Sequence, residues 1–400
     1  MSVELKGVPE MGLLSDLQPQ PPDALLAVMN ECRRDPREHK IDLTVGMYRN
    51  TQGITPVMRA VKSAERWLQE NQTTKGYLGP EGDLAFVDLL KPFIFNADLC
   101  KSGKIAGVQT PGGTGAIRLA GDLIVASGRD CTIWLGLPTW GNYKPTFSAS
   151  RAKVETYQSF DVVQQRLQFD EVQKALAKAK RGDIFVLQAS CTNPTGASFS
   201  KTQWQAIASE LADKGLIPLL DVAYQGLGVG FEDDVWSVHT VLSKVDEALI
   251  AYSCDKNFGL YRERVGVLYA VAKTEAVAQT TFTNMVSLAR SNWSMPSDHG
   301  AAIVRLILES VSLSADWIAE LTEMRVRVQS NRQRLARSDP RFVAVGAQQG
   351  MFSMLHLDGA AITKLKLEHA VYMAGSGRIN IAGFRGDDIE RFVQAVKAVG

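Results

Sequence analysis

The chain has 400 residues, 45% of them hydrophobic and 22% charged, with a formal net charge of +1. Such a chain builds two or three core-forming units and offers no global field to nucleic acid or an anionic membrane. Five scattered cysteines with no CxxC spacing point to a reducing compartment and away from a disulfide framework.

The opening stretch, MSVELKGVPEMGLLSDLQPQPPDA, lacks the continuous apolar core of a signal peptide. It ends rich in Pro and Gln, so residues 1–22 are expected to form an arm lying on something else. No run approaches the ~20 apolar residues of a membrane span, and a cytoplasmic location is expected. DALLAVMNECRRD has helical periodicity. IDLTVGMYRN reads as a strand turning at Gly46, and TPVMRAVKSAERWLQEN as an amphipathic helix with Pro56 near its first turn. From Ile105 onward, short apolar strands alternate with loops and helices. IAGVQT leads to PGGTG and the helix AIRLAGDLIVAS, CTIWLGL to PTWGN, and DIFVLQAS to CTNPTG and the helix KTQWQAIASELADKG. LIPLLDVAY and DEALIAYS follow, the latter running into SCDKNFGLYRERVG. That alternation implies a mainly parallel sheet covered on both faces, with ligands beyond the carboxyl ends of the strands. After Gly300 comes one long helical stretch, ending at RLARS. FVAVGAQQGMFSMLHL and GRINIAGF then alternate like strands, so the C-terminal part is expected to form a second domain, joined by the strand near Val45.

The five segments at the strand ends carry the chemistry. An Asp-Lys dipeptide is ordinarily a solvated turn, but a buried lysine loses basicity and becomes a nucleophile that forms Schiff bases. Lys256 sits where that use is open to it. Asp221 either caps the next turn or holds a cationic ring nitrogen, as a pyridoxal phosphate ring requires. Tyr224 and Asn193 are placed to reach the ring's phenolic oxygen, although Asn-Pro is also a common turn. PGGTG at the head of a helix is a phosphate cradle, yet it is neither GxGxxG nor a P-loop. Ser253 and Arg264 complete the phosphate contacts, the arginine as a bidentate fork. Trp140 reads as a core plug or as a plate against a flat cofactor. GLGVG at 226–230 opens no helix and reads as a loop. The five histidines are far apart, without metal-ligand spacing, and there is no GxSxG elbow.

Together, TPGGTGAIR, PTWGN, NPTG, DVAYQGLG, SCDKNFGLYRERVG and SGRINIAGF resemble the aspartate/aromatic aminotransferases, the class I group of fold-type I pyridoxal phosphate enzymes. The resemblance runs over nearly the whole chain. It implies an α/β fold: a large domain with a mainly parallel seven-stranded sheet flanked by helices, plus a smaller α+β domain from both chain ends. The expected boundaries are an arm over 1–22, small-domain parts over 23–54 and 316–400, and a large cofactor-binding domain over 55–315. The cofactor implied is pyridoxal 5'-phosphate, with Lys256 as its aldimine lysine. Asp221 is implied at the ring nitrogen, Tyr224 and Asn193 at the phenolic oxygen, and Trp140 on the ring face. Gly113, Thr114, Ser253 and Arg264 are implied at the phosphate, which Tyr77 reaches from the neighbouring subunit. Arg378 is the implied clamp on the substrate α-carboxylate, assisted by Asn193 and lined by Gly46 and Trp140. Arg290 corresponds to the arginine that crosses a homodimer interface to a distal carboxylate. Three departures stand out: Tyr143 and Thr192 occupy positions where the family commonly has histidine, and SMPSDHG replaces the usual segment after the distal arginine. The activity implied is ping-pong transamination between an L-amino acid, aspartate and/or aromatic, and 2-oxoglutarate, through pyridoxamine phosphate. The partners expected are amino acid and 2-oxo acid substrates and a second copy of the chain sharing its active sites, with no nucleic acid and no membrane. A lyase or β-decarboxylase on the same scaffold is the nearest alternative, and a scaffold without catalysis a remoter one.

Overall fold

Short runs of Val, Ile and Leu become the strands of one seven-stranded sheet: β1 (Ile105–Pro111), β2 (Thr132–Leu137), β3 (Lys153–Gln158), β4 (Ile184–Gln188), β5 (Ile217–Val222), β6 (Ala248–Ser253) and β7 (Val265–Val271). The spatial order is β1-β7-β6-β5-β4-β2-β3. All neighbours run parallel except β7, which is antiparallel to both β1 and β6. This is a computed structural model, and it describes residues 13–14, 16–20 and 23–400. Most of the arm expected over 1–22 therefore lies outside the described residues.

Every residue of β6 and β7 is buried, because helices cover both faces of the sheet. Alternate residues serve alternate faces. Leu219, Ala251 and Leu268 pack with Ile117, Met285 and Ala289 on one side. Leu220, Ile250 and Val267 pack with Trp204, Ile207, Val238 and Ile303 on the other. Register then aligns the carboxyl ends. Gln188 lies beside Asp221, Asp221 beside Ala251, Ser253 beside Gly266, and Val265 beside Pro111. Five of the functional segments thus leave the sheet at one edge.

The chain ends come together. Ile41–Asp42 pairs in parallel with Val371–Tyr372, and Phe352–Met354 pairs antiparallel with Arg378–Asn380. The long helix Val311–Ser338 and the helices Gly359–His369 and Asp388–Val399 complete a smaller α+β layer.

Four readings of the sequence need correction. The helical stretch after Gly300 is two helices, His299–Glu309 and Val311–Ser338, broken at Ser310. That residue is extended, and its hydroxyl accepts from the Leu313 amide as an N-cap. FVAVG is helical rather than a strand: the short helix Val343–Ala347 continues directly from a 3-10 turn, Pro340–Phe342, whose N-cap Asp339 accepts from the Arg341 amide. IDLTVGMYRN contributes only two strand residues, Ile41–Asp42. Pro56 also lies outside its helix, which begins at Arg59.

Candidate active site

At the head of β1 the chain turns directly into the helix Gly112–Ala126. Gly112 has φ +68, and a Cβ there would stand 2.6 Å from Arg264 Nη2 and 2.9 Å from Asp255 Oδ2. A side chain is excluded twice, by backbone and by space. Gly113 brings the helix against Ser253, whose Cβ would lie 3.0 Å from a Cβ on the glycine. The first-turn N–H groups, the Ser253 hydroxyl and the Arg264 guanidinium thus converge on one small concavity, a place for an anion. Arg264 is held by a short ion pair to Asp255, a carboxylate only 1% exposed.

Lys256 follows in the next position. Its Nζ is 3.9 Å from Asp255 Oδ2 and 5.6 Å from the centre of the Tyr224 ring. Burial pulls its pKa down, Arg264 adds to that, and Asp255 and Asp221 oppose it. Asp221 closes the other side. Burial raises its pKa, while a hydrogen bond from Tyr143 and the charge of Lys256 pull it back. The Tyr143 hydroxyl donates to Asp221 Oδ2 at 2.5 Å. Gly113, Thr114, Trp140, Gln188, Asn193, Asp221, Ala223, Tyr224, Ser253, Asp255 and Lys256 line a single pocket.

The pocket opens toward the small α+β layer through Arg378. Its Nη1 donates to Asn193 Oδ1 at 3.3 Å and its Nη2 to the Thr44 carbonyl at 2.8 Å. Nε is buried with no partner among the described residues, and such a donor is costly unless a ligand completes it. The guanidinium carbon lies 4.7 Å from the Phe352 ring centre. Gly46 packs on that same ring, where a Cβ would be 2.4 Å from Phe352 Cζ. Asn193 also reaches Tyr224, its Nδ2 standing 3.5 Å from the tyrosine oxygen. One amide therefore bridges the Tyr224 side of the pocket and the Arg378 side.

A profile of the family described as aminotransferase class I and II matches residues 38–396. A tyrosine aminotransferase of Rhizobium meliloti (strain 1021) is 48% identical over 370 residues, covering 92% of this chain and 95% of that protein. An aromatic-amino-acid aminotransferase of Paracoccus denitrificans is 40% identical over 394 residues, with 97% and 100% covered. Among solved structures, the aromatic-amino-acid aminotransferase of Burkholderia pseudomallei, covalently bound to pyridoxal phosphate, superposes with a TM-score of 0.93 at 31% identity, over 97% of this chain and 100% of that one. The chain belongs to the class I and II aminotransferases.

Within this aminotransferase, the residues singled out in the sequence fall into three groups. Gly113, Thr114, Trp140, Asn193, Asp221, Tyr224, Ser253 and Lys256 line the pocket. Arg264, Arg378 and Gly46 adjoin it through the contacts above. Tyr77 and Arg290 lie apart from it: Tyr77 is 96% exposed, and Arg290 is exposed in the last turn of the helix Glu275–Trp293. Other contributors escaped the sequence reading. Asp255 carries both cations, and Gln188 holds Asn193 through the Asn193 amide at 2.7 Å and the Asn193 carbonyl at 3.0 Å. Phe352 and the Thr44 carbonyl steady Arg378. Asp255 had a local signal, a carboxylate directly before Lys256 and nine residues ahead of Arg264. Phe352 and Thr44 had none, because their roles arise from contacts across more than 20 and 300 residues of chain.

Proposed function

We propose that this aminotransferase moves the amino group of an aromatic L-amino acid or aspartate to 2-oxoglutarate, with pyridoxal phosphate held in the pocket around Lys256. The observation that carries the proposal is one pocket that holds Lys256, half-buried and of lowered basicity, and adjoins Arg378, whose buried Nε has no partner among the described residues, with Asn193 reaching from Arg378 to Tyr224. The donor set fits the cofactor. Gly113, Thr114, Ser253 and Arg264 offer hydroxyl, amide and guanidinium groups to a phosphate. Asp221 offers a buried carboxylate to a ring cation, and Tyr224 with Asn193 offers donors to a phenolic oxygen. When bound, pyridoxal phosphate supplies a carbonyl that condenses with amines and a cationic ring that withdraws electrons from the substrate α-carbon.

Each side chain has its task. Lys256 would anchor the cofactor through Nζ and, as the free amine, would take the proton from the substrate α-carbon and pass it on to the cofactor rather than back to that carbon. Burial favours the free amine this needs. Asp221, whose ionisation burial opposes, regains a partner when a cation lies against it. Trp140 covers the ring face and excludes water. Arg378 grips the substrate α-carboxylate, a charge-assisted pair in a largely dry site, and Gly46 leaves room beside it. Tyr77 and Arg290 act in the partner subunit's pocket of a homodimer, at the phosphate and the distal carboxylate respectively. Both are exposed and neither lines the pocket of its own chain, which supports that assignment. We further propose the domain division 55–315 for the large domain and 23–54 with 316–400 for the small one, and a cytoplasmic location.

Protein reconstituted with pyridoxal phosphate and given L-glutamate alone should release one 2-oxoglutarate per site. A panel of tyrosine, phenylalanine, tryptophan and aspartate against 2-oxoglutarate, followed by glutamate formation, ranks the donors. No glutamate from any of them would sink the proposal.

A further inference from the structure

Asp221 is held by a residue that does not itself line the pocket. Tyr143 opens the helix Tyr143–Ala149 and is 1% exposed. Two aromatic contacts fix its ring. The edge of one ring meets the face of the other between Tyr143 and Trp140, with centroids 5.2 Å apart at 88°, and Phe147 stacks at 6.3 Å and 16°. Its hydroxyl is left one direction, onto Asp221 Oδ2 at 2.5 Å. Among the described residues no other side chain donates to Asp221, so the second carboxylate oxygen is left for the pocket it lines.

We propose that Tyr143 is a positioning residue: it fixes the orientation of Asp221 and keeps it ionised with a donor that carries no charge and does not titrate near neutral pH. The proposal rests on the reading of this pocket as the pyridoxal phosphate site. Burial and the adjacent Asp221 push the Tyr143 phenol well above its ordinary range, so it remains a donor across the working range. The groups facing this pair are Tyr224 after β5, Lys256 and Asp255 after β6, and Arg264 at the head of β7, with Arg378 beyond Tyr224. Lys144 on the same helix is exposed. None of the five histidines lines the pocket. Near neutrality, then, the carboxylate is held by a group of constant charge. An imidazole there would donate too, but it would add positive charge below its own pKa.

The test measures the dissociation constant of pyridoxal phosphate from the apo-protein between about pH 5.5 and 8.5, together with kcat and KM. Tyr143→Phe keeps the aromatic contacts and removes the donor. Its dissociation constant should rise roughly tenfold, the size of one hydrogen bond to a charged group. The rise should grow toward acid pH, because an unsupported carboxylate protonates more readily. The fall in kcat should come with a KM nearly unchanged. A Phe variant matching the wild type in all three would overturn the proposal, since packing alone would then suffice. Should Tyr143→Phe not fold, Tyr143→His decides: a bend in its pH dependence near pH 6–7, absent from the wild type, is expected. A curve parallel to the wild type overturns the proposal. Failure of the underlying reading looks different, because wild-type protein would then bind no pyridoxal phosphate and yield no borohydride-fixed label on Lys256.

Discussion

Lys256 and Asp221 are each strained electrostatically by the same burial, in opposite senses. The lysine is pushed toward its neutral form and the carboxyl toward its own. Removing the lysine amine should be the more damaging. Lys256→Ala is expected to lose at least about 10⁴-fold in turnover while keeping its fold, because Asp221, Arg264 and the glycine cradle remain. Circular dichroism and a coupled glutamate assay check both halves, and retention of more than a hundredth of the activity would count against the role. Asp221→Asn should separate function from stability. Its kcat falls by about 10²-fold or more, yet its apo-protein should melt at a higher temperature than the wild type at pH 7. The sign follows from linkage. A carboxyl raised in the folded state above 3.8 binds its proton more tightly folded than unfolded, so stability falls as pH rises through that window. The gain from Asn should therefore be full at neutral pH and vanish below about pH 4. Melting curves of the two apo-proteins at both pH values read this directly.

At the scale of elements, one buried side chain ties the helix Val311–Ser338 to the strand that carries Phe352. Arg332, 1% exposed, donates to the carbonyls of Val345, Gln349, Gly350 and Phe352 and to the Ser353 hydroxyl. Among the described residues no carboxylate faces it, and burial pulls its pKa down to about 9. Arg332→Met should cost about 3 kcal/mol, because several buried acceptors are left without donors. It should also raise KM for amino donors, since Phe352 underlies Arg378. Urea midpoints and kinetics together test that link. Little of this could be read from the chain. The alternation of strand and helix, and the odd residues at strand ends, were visible because both are local. The strand β7 was not, since VGVLYAV follows the functional run without a helix between and its antiparallel direction has no local mark. FVAVG misled because a Val-rich run suits either state, and here the Asp339-capped turn Pro340–Phe342 runs straight into a helix. Arg332 looked like one more charge on a polar helix.

For the molecule as a whole, the proposed assignment gives the α-carboxylate to Arg378, and among the described residues no arginine lines the same pocket to meet a distal carboxylate. Arg290→Ala should weaken aspartate and glutamate turnover by about 2–5 kcal/mol and leave tyrosine turnover nearly intact. Mixing it with Lys256→Ala should restore one dicarboxylate site per heterodimer, because one pocket then draws both wild-type residues. If the mixture recovers nothing although both variants fold and bind pyridoxal phosphate, Arg290 acts within its own chain or not at all. Leu13, Leu14 and Leu17, 86%, 78% and 67% exposed, form an apolar group that a single copy leaves in water, which accords with a second copy covering it.

The hydrogen bond from Arg378 to the Thr44 carbonyl spans 334 residues, and the parallel pair Ile41–Val371 closes the same great loop. Every residue of a pocket's own chain that is proposed to hold the cofactor lies between Gly112 and Arg264. A loop that long is costly to close and is closed late, after the shorter ones have formed. The enzyme should consequently mature in two stages. During refolding from urea, pyridoxal phosphate binding should return first and amino-donor turnover after it, with an interval in which the protein is coloured but idle. Stopped refolding samples assayed for both would show one curve trailing the other, and coincident curves would mean that both ends of the pocket assemble together.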